Sequence, residues 1–222
     1  MQELIKAKEP FMFRTRLHLT ELTGLRATTI SGLLELIKTV PGSCIYHHTH
    51  RFLQQHQYLS PEPPNDFAYW VTGVLGEAEL GERLASIDTI RFSNIRSLRE
   101  TIVAVVEEHL KRNSLALLKF AKDGEEFHFM KSQSFVIPLP HVAHEAVEFL
   151  DIFKKITIDS IYYHMFEAKL RIGHTSNDFS AWFEHSLNNK KIAEMLSQLD
   201  PYTRTLEDLR KTIIRIIEKN IF

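Results

Sequence analysis

Apolar residues recur every three or four positions through most of this chain, the spacing that places side chains on one face of an α-helix. A series of such segments runs through the first half of the sequence, and a similar series follows in the second half. The most regular stripe of each half carries Leu98, Ile102 and Val106, and Leu209, Ile213 and Ile217. The pattern therefore predicts a mainly helical protein.

A different pattern opens each half of the chain. Phe11 and Phe13 occupy alternate positions, and Phe127 and Phe129 do the same. Alternation with a period of two indicates a short extended segment. Because an isolated strand leaves its backbone groups without partners, we expect these two segments to pair with each other.

Two short motifs each occur twice and in the same order. The first is Ile45-Tyr46-x-His48, which recurs as Ile161-Tyr162-x-His164. The second is Asn65-Asp66-Phe67-x-x-Trp70, which recurs as Asn177-Asp178-Phe179-x-x-Trp182. We interpret this order as an internal duplication, with a first helical repeat over residues 1–117 and a second over residues 118–222.

These observations together predict the fold class. We expect an all-α, or α-dominated, fold in which two similar helical repeats pack about a pseudo-two-fold axis as one globule. The alternating phenylalanines leave room for one short strand in each repeat.

Composition limits the classes of partner. The chain has 222 residues and a formal net charge of −1, so no overall field attracts nucleic acid or an anionic membrane. Its one cysteine, Cys44, excludes an intramolecular disulfide and suits a reducing compartment. No signal peptide and no run of about 18 apolar residues is visible. We therefore expect a cytoplasmic protein that binds neither nucleic acid nor membrane.

The repeated histidine and aspartate are the candidate site residues. His48 and His164 lie on otherwise apolar helix faces, and a buried imidazole needs partners for both ring nitrogens. Asp66 and Asp178, at the start of the next predicted helix, can supply one partner each. Such a pair can act as a general base oriented by a carboxylate. We favour the alternative, a core histidine that ties two helices together, because no nucleophile recurs in both repeats.

Two tyrosines complete the candidate set. Tyr46 and Tyr162 recur two positions before the histidine, and we expect each to pack at a helix crossing with its hydroxyl at the rim.

A metal site is the remaining alternative. His47, His48 and His50 are imidazoles close together in sequence, but around a regular α-helix they point in three directions. The second repeat has Tyr163 and Phe166 in place of His47 and His50. We therefore predict neither a metal nor another cofactor.

The motifs, taken in order, resemble a bacterial and archaeal family of uncharacterised domains of unknown function. The resemblance extends over nearly the whole chain, in two tandem copies, and is strongest in Ile161-Tyr162-Tyr163-His164 and Asn177-Asp178-Phe179-x-x-Trp182. The first copy departs from the pattern at His47, where tyrosine is expected. Because the family has no established activity, the resemblance implies no catalytic role for any residue.

The sequence does not decide whether the chain is an enzyme. Our leading hypothesis is a non-catalytic helical interaction or regulatory module that binds another protein, with homo-oligomer formation left open. The alternative is a small-molecule- or metal-binding helical protein, or an enzyme, that uses the repeated His–Asp pairs. Sealed histidines and an exposed apolar patch would favour the first hypothesis, and an open pocket that contains the histidines would favour the second.

Overall fold

The computed structural model describes residues 6–51, 65–168, 177–199 and 205–221. It is a mixed α/β protein, 59% helical and 22% strand, with a two-stranded antiparallel sheet. The prediction of an all-α fold is therefore wrong. Most positions of both strands are exposed outside the phenylalanine segments, so no continuous alternation of apolar and polar residues reveals their length.

The strands are β1 (Lys6–Ala27) and β2 (Phe127–Glu145), with 22 and 19 residues. They contain the two phenylalanine segments and pair with each other, as the alternation predicted. They are long strands, however, and not the short ones expected.

Two series of helices follow the strands. After β1 come α1 (Ile30–Thr39), α2 (Gly42–Tyr46), a π-helical turn (His47–Arg51), α3 (Asp66–Gly73), α4 (Ala78–Ala85) and α5 (Ile95–Arg112). Short 3₁₀ turns lie at Thr89–Arg91 and Ser114–Leu118. After β2 come α6 (Ala146–Phe153), α7 (Ile158–Tyr162), a second π-helical turn (Tyr163–Glu167), α8 (Asp178–His185), α9 (Lys190–Ser197) and α10 (Leu206–Ile221).

Asparagine side chains fix the starts of α3 and α8. Asn65 accepts a hydrogen bond from the N–H of Ala68, and Asn177 accepts one from the N–H of Ser180. The side-chain amides also donate, to the carbonyls of Leu84 and Leu196 at 3.1 and 3.0 Å. Each asparagine thus satisfies a free N–H at the helix start and ties the helix to its neighbour.

The described chain forms two compact units. The first unit consists of residues 18–51 and 65–134, and the second of residues 6–17, 135–168, 177–199 and 205–221. Each strand therefore contributes residues to both units. The repeats at 1–117 and 118–222 divide the sequence and stay a prediction, whereas the compact units follow the contacts.

In this arrangement each phenylalanine segment packs against helices from the other half of the sequence. In the first unit Phe127 packs against Phe67 and Trp70, with ring centroids 5.3 and 5.7 Å apart. In the second unit Phe11 packs against Phe179 and Trp182 at 5.4 and 5.6 Å. Phe13 and Phe129 are fully buried beside them. Each core therefore needs a strand segment from far away in the sequence.

The two tryptophans also bond to the backbone two residues before these segments. The indole N–H of Trp70 donates to the carbonyl of Glu125 at 2.7 Å, and that of Trp182 donates to the carbonyl of Glu9 at 2.8 Å. Each indole N–H is therefore a local reporter for one unit.

We expect Phe13→Ala to destabilise the second unit and Phe129→Ala to destabilise the first, each by about 3–5 kcal/mol, because both changes leave a cavity in a packed core. Native-state hydrogen exchange of the two indole N–H groups measures each unit by itself. Phe13→Ala should accelerate exchange mainly at Trp182, and Phe129→Ala mainly at Trp70. The reverse assignment would contradict the exchange of strand segments between the two halves.

Candidate functional site

His48 bridges a carboxylate and a strand. Its Nδ1 lies 2.7 Å from Oδ2 of Asp66 at the start of α3, and its Nε2 lies 3.0 Å from the backbone nitrogen of Met130 in β2. The ring is buried. Phe67 and Phe127 pack against it, with ring centroids at 5.5 and 4.7 Å.

These contacts define the tautomer of His48. A backbone N–H can only donate, so the Nε2 that faces Met130 must carry a lone pair and no proton. The proton of the neutral ring therefore lies on Nδ1, where it donates to Asp66. Both ring nitrogens have a protein partner.

The second unit has the same arrangement. Nδ1 of His164 lies 2.7 Å from Oδ2 of Asp178, and Nε2 accepts a hydrogen bond from the N–H of Arg14 in β1 at 2.9 Å. The carbonyl of Arg14 accepts a further hydrogen bond from the hydroxyl of Ser160 at 2.7 Å. In each unit the histidine thus connects the start of a helix to a strand from the other half of the sequence.

The strand N–H is the member that the sequence did not reveal. The motifs pointed to His48 with Asp66 and to His164 with Asp178, which the structure brings together. The third partner is a backbone group, which every residue except proline carries, so no residue type marks it.

The tyrosines of the repeated motif are buried rather than placed at a rim. The hydroxyl of Tyr46 lies 3.3 Å from Nε2 of His18, and its ring stacks on His50 with centroids 5.4 Å apart. Tyr162 packs beside Phe166 in the second unit at 5.4 Å. Neither tyrosine contacts the histidine–aspartate pair in the hydrogen bonds that the structure describes.

The first π-helical turn also places His47 and His50 in the interior. The expectation that these side chains point away from His48 on different faces assumed a regular α-helix. The π-helical turn has i→i+5 hydrogen bonds and is wider, and its residues from His47 to His50 are buried. We use the name histidine cluster for the four buried imidazoles of this region: His18, His47, His48 and His50.

His47 has an altered acidity. Its Nδ1 lies 2.8 Å from the hydroxyl of Ser132 in β2. Burial, and after it the neighbouring His48, lower the pKa of His47 from 6.5 to about 4, although the carboxylate of Asp66 acts in the opposite direction. His47 is therefore neutral at physiological pH.

Three of these groups also lie within reach of a common point. Potential ligand atoms of His47, His48 and Asp66 are all within 4.8 Å of one another. A metal at Nδ1 of His48 would force the ring proton onto Nε2, where it would face the N–H of Met130. A metal at Nε2 would displace that N–H from the ring. The hydrogen bonds therefore favour a satisfied core histidine over a metal ligand.

In the second unit, other residues occupy the positions around the histidine–aspartate pair. Tyr163 and Phe166 stand in place of His47 and His50. An ion pair joins the partly buried Arg16 of β1 to the buried Glu167, with 2.6 Å between Nη1 and Oε2. The guanidinium of Arg16 also lies over the ring of Tyr163, 5.7 Å from its centroid. The two units thus share one histidine contact and differ in the residues around it.

A second buried polar group lies at the start of α4. The carboxylate of Glu77 receives hydrogen bonds from His109 at 2.9 Å and from Lys119 at 2.7 Å. Burial raises the pKa of Glu77, but the hydrogen bonds from Lys119 and His109 outweigh it and hold that pKa below its usual value. The contact fixes the segment that follows α5.

Fold and site define a two-unit α/β protein in which two long paired strands are each fastened by a histidine–aspartate pair. The chain belongs to a family of unknown function (DUF5752), whose sequence profile matches residues 8–218. It is similar to OrfY from Thermoproteus tenax, a solved structure with 28% sequence identity and a TM-score of 0.81, over 98% of each chain. A comparison with curated proteins found no match. Among the described residues, every helix is too short or too polar to cross a membrane.

We expect His164→Ala and Asp178→Ala each to lower the free energy of unfolding by about 2–3 kcal/mol, because each leaves a buried or partly buried partner without its hydrogen bond. His164→Ala should cost more, since it also leaves the N–H of Arg14 unsatisfied. The double variant should cost clearly less than the sum of the two. Urea denaturation measures all three variants.

The matched control is His185→Ala, an exposed histidine at the end of α8, which should change stability by less than about 0.5 kcal/mol. Additive costs for His164→Ala and Asp178→Ala would show that the two side chains act independently.

Proposed function

We propose that the protein is a non-catalytic module that binds another protein through an apolar segment of its first unit. The apolar segment comprises residues 115–120. Its exposed side chains are Leu115, Leu117, Leu118 and Phe120, with 70%, 48%, 74% and 72% of their surface accessible. Single exposed apolar residues are common, but four large ones within six consecutive positions are typical of an interaction surface.

The backbone of the apolar segment is held in place. Ala116 is fully buried, and Lys119 donates to the carbonyl of Gly76 at 3.1 Å as well as bonding to Glu77. The segment begins as the 3₁₀ turn Ser114–Leu118. A fixed backbone that projects large apolar side chains loses less entropy when a partner covers them, which supports a binding role.

The histidine sites support a role without catalysis. A general base needs a lone pair directed at its substrate. In His48 and His164 the Nε2 lone pair accepts a strand N–H, and the Nδ1 proton is donated to aspartate. The alternative function, a small-molecule- or metal-binding protein that uses the His–Asp pairs, therefore has less support. We further propose a cytoplasmic location, because the single cysteine, Cys44, is a buried free thiol.

The combined variant Leu118→Ser/Phe120→Ser tests the apolar segment. We expect it to capture at least tenfold less of the partner than the unaltered protein captures from cells of the source organism. Quantitative mass spectrometry after crosslinking measures the amount captured. The apolar area of these two side chains would no longer be available for burial by the partner. Its melting temperature should be unchanged, because both side chains are exposed.

Tyr69→Ser is the matched control, since Tyr69 is a large side chain of the same unit with 53% of its surface accessible. It should retain the partner. Equal capture by the double variant and the unaltered protein would refute the proposed surface. Self-association that only Leu118→Ser/Phe120→Ser abolishes would identify a second copy of the chain as the partner.

Zinc titration tests the alternative function. We expect no stoichiometric, high-affinity binding by untagged protein, because His48 would lose a hydrogen bond to Met130 or Asp66 on binding. Tight binding of one Zn²⁺ per chain that Asp66→Asn removes would establish the alternative.

A further inference from the structure

The two units differ in the number of histidines around the shared contact. The first unit buries the whole histidine cluster, whereas the second has only His164 at the corresponding place. The second unit nevertheless forms the same bonds from histidine to aspartate and to the strand. The shared contact therefore does not require the additional imidazoles of the first unit.

We propose that the histidine cluster makes the first unit the more acid-sensitive of the two, so that on acidification β2 separates locally from the π-helical turn before the second unit opens. The contact that opens is the one between His47 and Ser132, and with it the packing of the β2 segment around Phe129.

The charges that surround His47 disfavour its protonation in the closed unit. His48 and Arg51 lie on the same π-helical turn as His47. Asp66 lies at the start of α3, His18 on β1 and Ser132 on β2. Arg51 is positively charged, and His48 and His18 become so when they bind a proton. The one negative charge among them, on Asp66, is already bonded to His48. A proton on His47 therefore meets more repulsion than attraction.

The direction of the pH effect follows from proton linkage. The closed unit holds the pKa of His47 at about 4, whereas an open unit with a solvated ring has the ordinary value of 6.5. Above pH 6.5 neither form binds the proton, and the closed form has its full stability. As the pH falls from 6.5 towards 4, only the open form binds it, so opening becomes more favourable by a factor on the order of 100.

The second unit lacks this response at the corresponding position. Tyr163 replaces His47, and a tyrosine side chain does not take up a proton in this range. Arg16, which replaces Ser132, is paired with Glu167. The difference in stability between the two units should therefore grow as the pH falls.

The full chain labelled with 5-fluorotryptophan tests the proposal, because each unit contains one tryptophan. Trp70 reports on the first unit and Trp182 on the second through their indole hydrogen bonds. Two measurements report opening at each tryptophan: the ¹⁹F signal, and hydrogen exchange of the indole N–H corrected for its intrinsic pH dependence. We expect opening at Trp70 to rise on the order of 100-fold as the pH falls from 6.5 to 4. Trp182 should change at least tenfold less than Trp70. Equal responses at both tryptophans would overturn the proposal.

His47→Gln separates this effect from general acid denaturation. Glutamine can still bond to Ser132 but cannot acquire a charge. We expect it to reduce the pH response of Trp70 at least tenfold. The matched control is His128→Gln, an exposed histidine of the same strand, which should leave the response unchanged. An unchanged response in His47→Gln would overturn the proposal, and the comparison of Trp70 with Trp182 in the unaltered protein decides the question if that variant fails to fold.

Discussion

A hydrogen bond from a strand N–H to a histidine ring is the contact on which both units depend. Each strand of a two-stranded sheet has one edge without a neighbouring strand, and buried backbone groups there need other partners. His48 accepts the N–H of Met130, and His164 accepts that of Arg14. The net gain from such a bond is about 1 kcal/mol, but the cost of leaving a buried N–H unsatisfied is about 1–3 kcal/mol. The contact therefore specifies where the strand lies more than it adds stability.

The aspartate partner explains why a histidine suits this position. A neutral imidazole can accept at Nε2 only if its proton is on Nδ1, and a carboxylate at Nδ1 selects that tautomer. Asp66 and Asp178 do so at the same distance, 2.7 Å. A catalytic His–Asp pair has the same parts, but its lone pair faces a substrate. Here the lone pair faces the backbone, so the pair works as a structural clamp.

The sequence predicted the parts of this clamp better than the fold around it. Repetition of the motifs identified His48, Asp66, His164 and Asp178, and alternation identified the paired strands. The length of the strands was missed because Leu19, Leu22 and Leu25 recur at every third position, which interrupts the alternation of apolar and polar residues. These leucines are exposed in the structure although they are apolar. The burial of His47 and His50 was missed because a π-helical turn has no residue pattern of its own. The crossing of the strands between units depends on contacts distant in sequence, which local patterns do not encode.

The shared clamp also separates two kinds of residue around it. The two side chains that make the clamp, histidine and aspartate, are the same in both units, because the geometry of imidazole, carboxylate and strand N–H permits little substitution. The surrounding positions only have to fill space and satisfy their own polar groups, and two different solutions achieve this: a neutral contact between His47 and Ser132, and an ion pair between Arg16 and Glu167. Since either solution supports the clamp, the clamp does not explain the choice between them. Any functional property that only one unit has must therefore depend on these surrounding positions. At these positions the two units differ most in the side chains that can bind a proton.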